Sequence, residues 1–106
     1  MMLKLHGEAR WLKPEGPIEI EIHRETSRRG LPCLAVRLSY VEGGHMRGPF
    51  YLSCVEFGEL GYDVVHKVFN HVLKQLFAEL MRPTEPCFDF DAKVMRYFKS
   101  SVSNKE

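Results

Sequence analysis

VVHKVFNHVLKQLFAEL, residues 64–80, carries apolar side chains at positions 64, 65, 68, 69, 72, 73, 76, 77 and 80. That spacing is the signature of an amphipathic helix with one wide apolar stripe. Its expected N-cap is Asp63, whose carboxylate would accept orphan backbone N–H groups. Arg82-Pro83 should end it, because proline supplies no N–H to the hydrogen-bond ladder. Four alternating, strand-like runs precede this helix, so the chain reads as a compact α+β domain.

Upstream, Leu3 to Leu12 alternates Leu3, Leu5, Ala9 and Trp11 with Lys4, His6, Glu8 and Arg10. Lys13-Pro14-Glu15-Gly16-Pro17 is a turn by its Pro and Gly content. Ile18, Ile20 and Ile22 then alternate with Glu19, Glu21 and His23, as in a half-buried strand. After a polar loop, Leu34, Val36, Leu38 and Tyr40 alternate with Arg37 and Ser39. A fourth strand is expected from Phe50 to Phe57, beyond the break at residues 43–49. Downstream of the long helix, Phe90, Val94, Tyr97 and Phe98 repeat at helical spacing, giving a shorter helix over 89–100. A fifth strand across Phe88 to Val94 is the alternative there.

The expected architecture is a four-stranded antiparallel meander with one long and one shorter C-terminal helix packed on one face. Four strands span about 19 Å at roughly 4.8 Å each. One helix is about 10 Å across, so two are needed to cover that face. Residues 1–100 form a single domain in this reading, and 101–106 a frayed tail.

Composition narrows the function classes. The 106 residues hold 15 Lys and Arg against 14 Asp and Glu, and 44% are apolar. A net charge of +1 lacks the basic excess on which non-specific nucleic-acid binders depend. Cys33, Cys54 and Cys87 form no CxxC pair, and no secretory leader pattern opens the chain, so reduced thiols in the cytoplasm are expected. No apolar run approaches transmembrane length, and no membrane partner is expected.

The two sheet faces differ in character. Pairing the first two strands so that Glu8 opposes His23 also sets Arg10 against Glu21 and His6 against Glu25, and it avoids like-charge pairs. Extending the meander sets Glu19 against Arg37. The outer face of the early strands is then ionic and wet. Strict alternation along the fourth strand points Phe50, Leu52 and Cys54 at the helices and turns Tyr51, Val55 and Phe57 outward. Ala35 and Cys33 would lie beside Val55 and Phe57, with Val41 near Tyr51. Tyr51, Val55, Phe57, Val41 and Ala35 thus form the candidate partner-binding patch, since contiguous exposed apolar surface on a small domain marks interaction.

Catalytic and metal chemistry find little support. His66 and His71 stand about 140° apart around one helix and cannot share an ion. No cysteine sits at ligand spacing from a histidine. Cys54 reads as inert packing, and Cys87 has no base placed beside it. The glycines of Gly43-Gly44-His45-Met46-Arg47-Gly48 lead into a strand and not a helix N-terminus, which suits a hairpin better than a phosphate cradle. Glu19 and Glu21 face solvent, while Asp89 and Asp91 suit a helix cap. No catalytic residue, metal ligand or cofactor is therefore expected.

The reading that follows is a small protein-binding domain, acting as adaptor, inhibitor or obligate subunit through the outer apolar patch, with a homodimer as one form. Such a size and charge also suit an accessory protein of a phage or mobile element. The alternative is a binder of RNA or single-stranded DNA, using Tyr51 and Phe57 as stacking platforms with Arg24, Arg28, Arg29 and Arg37.

Overall fold

The computed structural model describes residues 2–5 and 11–104, with side chains through Lys99. Its elements in chain order are β1 (Met2–Lys4), β2 (Trp11–Leu12), β3 (Ile18–Thr26), β4 (Pro32–Glu42), β5 (His45–Glu56), α1 (Tyr62–Met81), β6 (Cys87–Asp89) and α2 (Phe90–Asn104). The α+β class holds, but the single meander does not. The strands form two three-stranded sheets, ordered β2-β1-β6 and β3-β4-β5.

The first expected strand is the source of that difference. It splits into β1 and β2, which fold back on each other with Leu3 opposite Leu12, and β1 then takes β6 as a parallel neighbour. Leu3, Leu12 and Phe88 face inward from this small sheet and join the same core as the helices. The expected pairs of His6, Glu8 and Arg10 with β3 lie outside the described residues. The partner of Arg37 is Glu21, not Glu19.

Both helices cover one face of the larger sheet, α1 against β4 and α2 against β5. Val65, Phe69, Val72 and Leu76 of α1 are buried against Leu34, Val36 and Leu38 of β4. The helix starts two residues earlier than an Asp63 cap would require. Gly61 is the cap, at φ 89°, and it offers no side-chain hydrogen bond. Arg82 ends it as expected, just before Pro83. Residues 87–94 contain both alternatives, a three-residue strand followed by α2. Asp89 caps α2 by accepting from the Ala92 N–H at 3.1 Å. The helix runs to Asn104 and takes in much of the stretch expected as a tail.

One bulge decides which side chains the larger sheet exposes. From Cys33 to Val36, β4 pairs with Glu56 to Ser53, but Arg37 pairs with Tyr51. Leu52 is the extra residue, and an extra residue reverses the in–out phase beyond it. Phe50 and Leu52 point to the core, and so do Ser53 and Val55. Phe57 follows them inward and meets Tyr62 edge-on. Cys54 points outward instead. Strict alternation therefore misplaces Cys54, Val55 and Phe57. Buried Ser53 is satisfied by donating to Asp91 of α2 at 2.8 Å.

Between α1 and β6, Glu79 holds the connection in shape. Its carboxylate accepts from the Thr84 N–H at 2.8 Å, the Thr84 hydroxyl at 2.7 Å and the Glu85 N–H at 3.3 Å. The Thr84 backbone and hydroxyl bonds, foremost, hold the Glu79 pKa below the usual carboxylate value. A depressed folded pKa gives stability that is present above the unfolded carboxylate value and lost as pH falls through the folded one. Glu79→Ala should accordingly melt lower than the parent chain at pH 7. The gap should begin to narrow in thermal scans as pH falls below about 4, where the unfolded carboxyl group takes up its proton, and should close only at lower pH, once the folded carboxylate is protonated too.

Candidate functional site

The outer face of the β3-β4-β5 sheet is built in rows across the strands. Glu25, Cys33 and Glu56 form one row, His23, Ala35 and Cys54 the next, and Glu21, Arg37 and Tyr51 the third. The middle of this face is small side chains beneath a polar roof. The Tyr51 hydroxyl donates to Glu25, and Arg37 binds Glu21. The bond to Glu25, first, pushes the Tyr51 pKa up. His23 Nε2 lies 3.4 Å from Glu25 Oε1, without the alignment of a hydrogen bond. Ser27 and Arg29 converge on Glu56 at 3.1 and 3.3 Å.

The five residues of the expected apolar patch are not brought together. Val55 is 8% exposed within the core, and Phe57 packs against it. Ala35 is on the outer face but fully buried under the roof. Val41 is half-buried opposite exposed Met46, two rows from Tyr51. Only Tyr51 sits as expected, outward and 37% exposed, with its hydroxyl engaged.

The basic residues are likewise dispersed. Arg24 stands on the helix side of β3, 4.3 Å from the centre of the Tyr62 ring. Arg29 answers Glu56 and Arg37 answers Glu21, while Arg28 is exposed in the turn before Gly30. Among the described residues, no continuous basic groove joins Tyr51 to Phe57, because those two rings face opposite sides of the sheet.

The residues weighed for chemistry take structural places. His66 stacks on Tyr62 and meets Asn70 at 3.0 Å, and His71 stands edge-on to the Tyr97 ring. Gly43 and Gly44, at φ 58° and 78°, form the two-residue turn between β4 and β5. Positive φ at both positions is what a tight hairpin demands. Among the described residues, no three His, Cys, Asp or Glu side chains converge as metal ligands. A cleft of about 280 Å³ opens between the helices beside Gln75, Lys93, Arg96 and Tyr97. Its polar groups largely answer one another or a neighbour, with Gln75 donating to Tyr97 at 3.0 Å and Lys93 paired to Glu85 at 3.3 Å.

A different apolar surface remains open, beside β3. This strand is at the edge of its sheet, and among the described residues no strand lies beyond it. Ile18, Ile20 and Ile22 pack against the core but stay only partly buried. Among the described residues, α2 packs against one flank of α1 only. Gln75 and His71 turn toward α2, and Phe77 lies about 160° around the axis from Gln75 at 100° per residue. Phe77 is 48% exposed and Met81, one turn on, is 83% exposed.

Arg24 over Tyr62 ties the start of α1 to the far end of β3. The partly buried isoleucines along the β3 edge and the exposed Phe77 and Met81 on the flank of α1 away from α2 are the apolar side chains that make up this candidate strip. Sequence reasoning missed it because Ile18, Ile20 and Ile22 read as ordinary core. The available signal was the edge position of β3, which appears once the first strand pairs elsewhere.

No family model matches this chain, and no curated protein and no solved structure matches it. Among the described residues, no helix is long and apolar enough to cross a membrane.

Proposed function

We propose that this chain is a small protein-binding domain that docks an extended segment of another protein along β3, against the flank of α1. The observation that carries the reading is the contrast between the two edges of the larger sheet. The β5 edge is interrupted by Pro49 and by two register shifts, devices that blunt an edge against pairing. The β3 edge runs nine residues without a shift or a proline. Half-buried isoleucines beside it present apolar surface to every second side chain of an added strand.

Charge selects the partner. Glu19, Glu21 and Glu25 alternate with the isoleucines, so a second β3 would bring glutamate against glutamate in most registers. Self-pairing is thereby disfavoured, and a partner strand alternating apolar with Lys or Arg is favoured. A protein-binding role fits an adaptor, inhibitor or subunit of a larger assembly. The three free cysteines suit a cytoplasmic setting. Nucleic-acid binding is the weaker reading, since Arg29 and Arg37 already answer carboxylates.

A random peptide library selected on the folded chain tests this. Selected peptides should alternate apolar and basic residues and shift the backbone amides of residues 18–26 most strongly in NMR spectra. Phe77→Glu should weaken their binding at least about tenfold, the effect of losing one interface anchor, while leaving the thermal midpoint nearly unchanged. Peptides that map instead to the β4–β5 turn or the outer face, or that ignore Phe77→Glu, would refute the proposal.

A further inference from the structure

The outer face carries two thiols in contact. Cys33 Sγ on β4 lies 3.4 Å from Cys54 Sγ on β5, and both are unbridged. They are diagonal neighbours, Cys54 opposite Ala35 and Cys33 opposite Glu56. The juxtaposition is a product of the bulge at Leu52, without which Cys54 would point into the core. We propose that Cys33 and Cys54 form a two-electron oxidation site, which a small-molecule disulfide converts into a cross-strand disulfide stapling β4 to β5.

The sulfurs are already in contact, and diagonal neighbours on adjacent strands, typically about 7–8 Å apart, can be bridged if the two strands draw slightly together. Bond formation requires the sulfurs to approach by about 1.4 Å, to a length near 2.05 Å. Both side chains already share a face, and the strands that bear them are adjacent. Exposure sets the order of events. Cys33 is 1% exposed and Cys54 is half-buried, so the reagent meets Cys54 first. The Cys54 thiol gives its proton to solvent, and the thiolate attacks the reagent's S–S bond, expelling one small thiolate that is protonated. Cys33, deprotonated in turn, attacks the Cys54 sulfur of the mixed disulfide and expels the second small thiol. Two protein S–H bonds and the reagent S–S bond are lost. One protein S–S bond and two small-molecule S–H bonds are gained. Two electrons pass to the reagent, and no other reactant is needed.

Burial, first, then Cys33, Glu25 and Glu56 push the Cys54 thiol up to about 12. Thiolate is scarce at neutral pH, so the reaction is slow there and speeds about tenfold per pH unit. The consequence is a staple that closes the β4–β5 hairpin just past its bulge and fixes its register.

Oxidised glutathione added to the folded full-length chain at pH 9, followed by acid quench and peptide mapping, tests the site. The expected product lacks two hydrogens, links Cys33 to Cys54 and leaves Cys87 free. It should melt higher by on the order of 10 °C and return to the starting form with dithiothreitol. Cys33→Ala should stop at the mixed disulfide on Cys54, and Cys54→Ala should remove the reaction from this face. Independent glutathionylation of Cys33 and Cys54 without a link, a link that forms only in denaturant, or one through Cys87 would overturn the assignment. Because the wild-type map decides the matter, failure of either variant to fold would not rescue it.

Discussion

Val55→Glu should unfold the domain or bring it to the edge of unfolding. Val55 is 8% exposed and packs in the core beside Leu34, its partner on β4. A carboxylate there would be buried without a counter-ion, or protonated without a hydrogen-bond partner. Either outcome costs about 4 kcal/mol or more, against a total stability of about 5–15 kcal/mol for a domain of ordinary size. Denaturant titration followed by far-UV circular dichroism would read the loss. Tyr51→Glu supplies the comparison. It removes the hydrogen bond to Glu25 and part of the cover over Ala35, but it stands outward near Arg37. Its cost should be about 1 kcal/mol. Equal costs for the two variants would mean that residues 51 and 55 share one face, as unbroken alternation requires.

Phe69→Ala should cost about 3–5 kcal/mol, the range for deleting a buried aromatic ring and leaving a cavity. Phe69 is fully buried near the middle of α1, and its ring lies 6.2 Å from that of Phe90 on α2. The loss therefore falls where both helices meet the sheet, and neighbouring side chains have little room to collapse inward. Phe77→Ala, two turns along the same helix, should stay within about 1 kcal/mol because its ring is already half in water. The pair separates the core stripe of α1 from the flank offered to a partner. A large cost at Phe77 would mean that the flank is covered, and would remove the docking strip beside β3.

Much of this fold was legible in the chain. The helix over 64–80 was plain because nine apolar positions repeat at helical spacing over more than four turns. β3 and β4 were plain because isoleucines, or Leu34, Val36, Leu38 and Tyr40, alternate with polar residues. The destination of the first strand was not. Leu3 and Leu12 show that the segment is half-buried, but the choice of neighbour belongs to β6. That strand is three residues lodged between Pro86 and the start of a helical repeat, too short to carry a period. The bulge left a trace that alternation alone does not use. Phe50 and Leu52 share one phase, Val55 and Phe57 share the other, and all four are apolar. An apolar series that changes phase mid-strand is the pattern an extra residue produces. The candidate surface moved with it, from Val55 and Phe57 to Ile18, Ile20, Ile22 and Phe77.

The phase reversal at Leu52 underlies both the polar outer face and the contact of the two thiols. Methyl-labelled nuclear Overhauser spectroscopy on the wild-type chain tests it without any substitution. Cross-peaks should join the Val55 methyl groups to those of Leu34 and to the core, and leave the Ala35 methyl group without a Val55 neighbour. Strong cross-peaks between Val55 and Ala35, with Val55 silent toward Leu34, would contradict the reversal and return Val55 to the outer face.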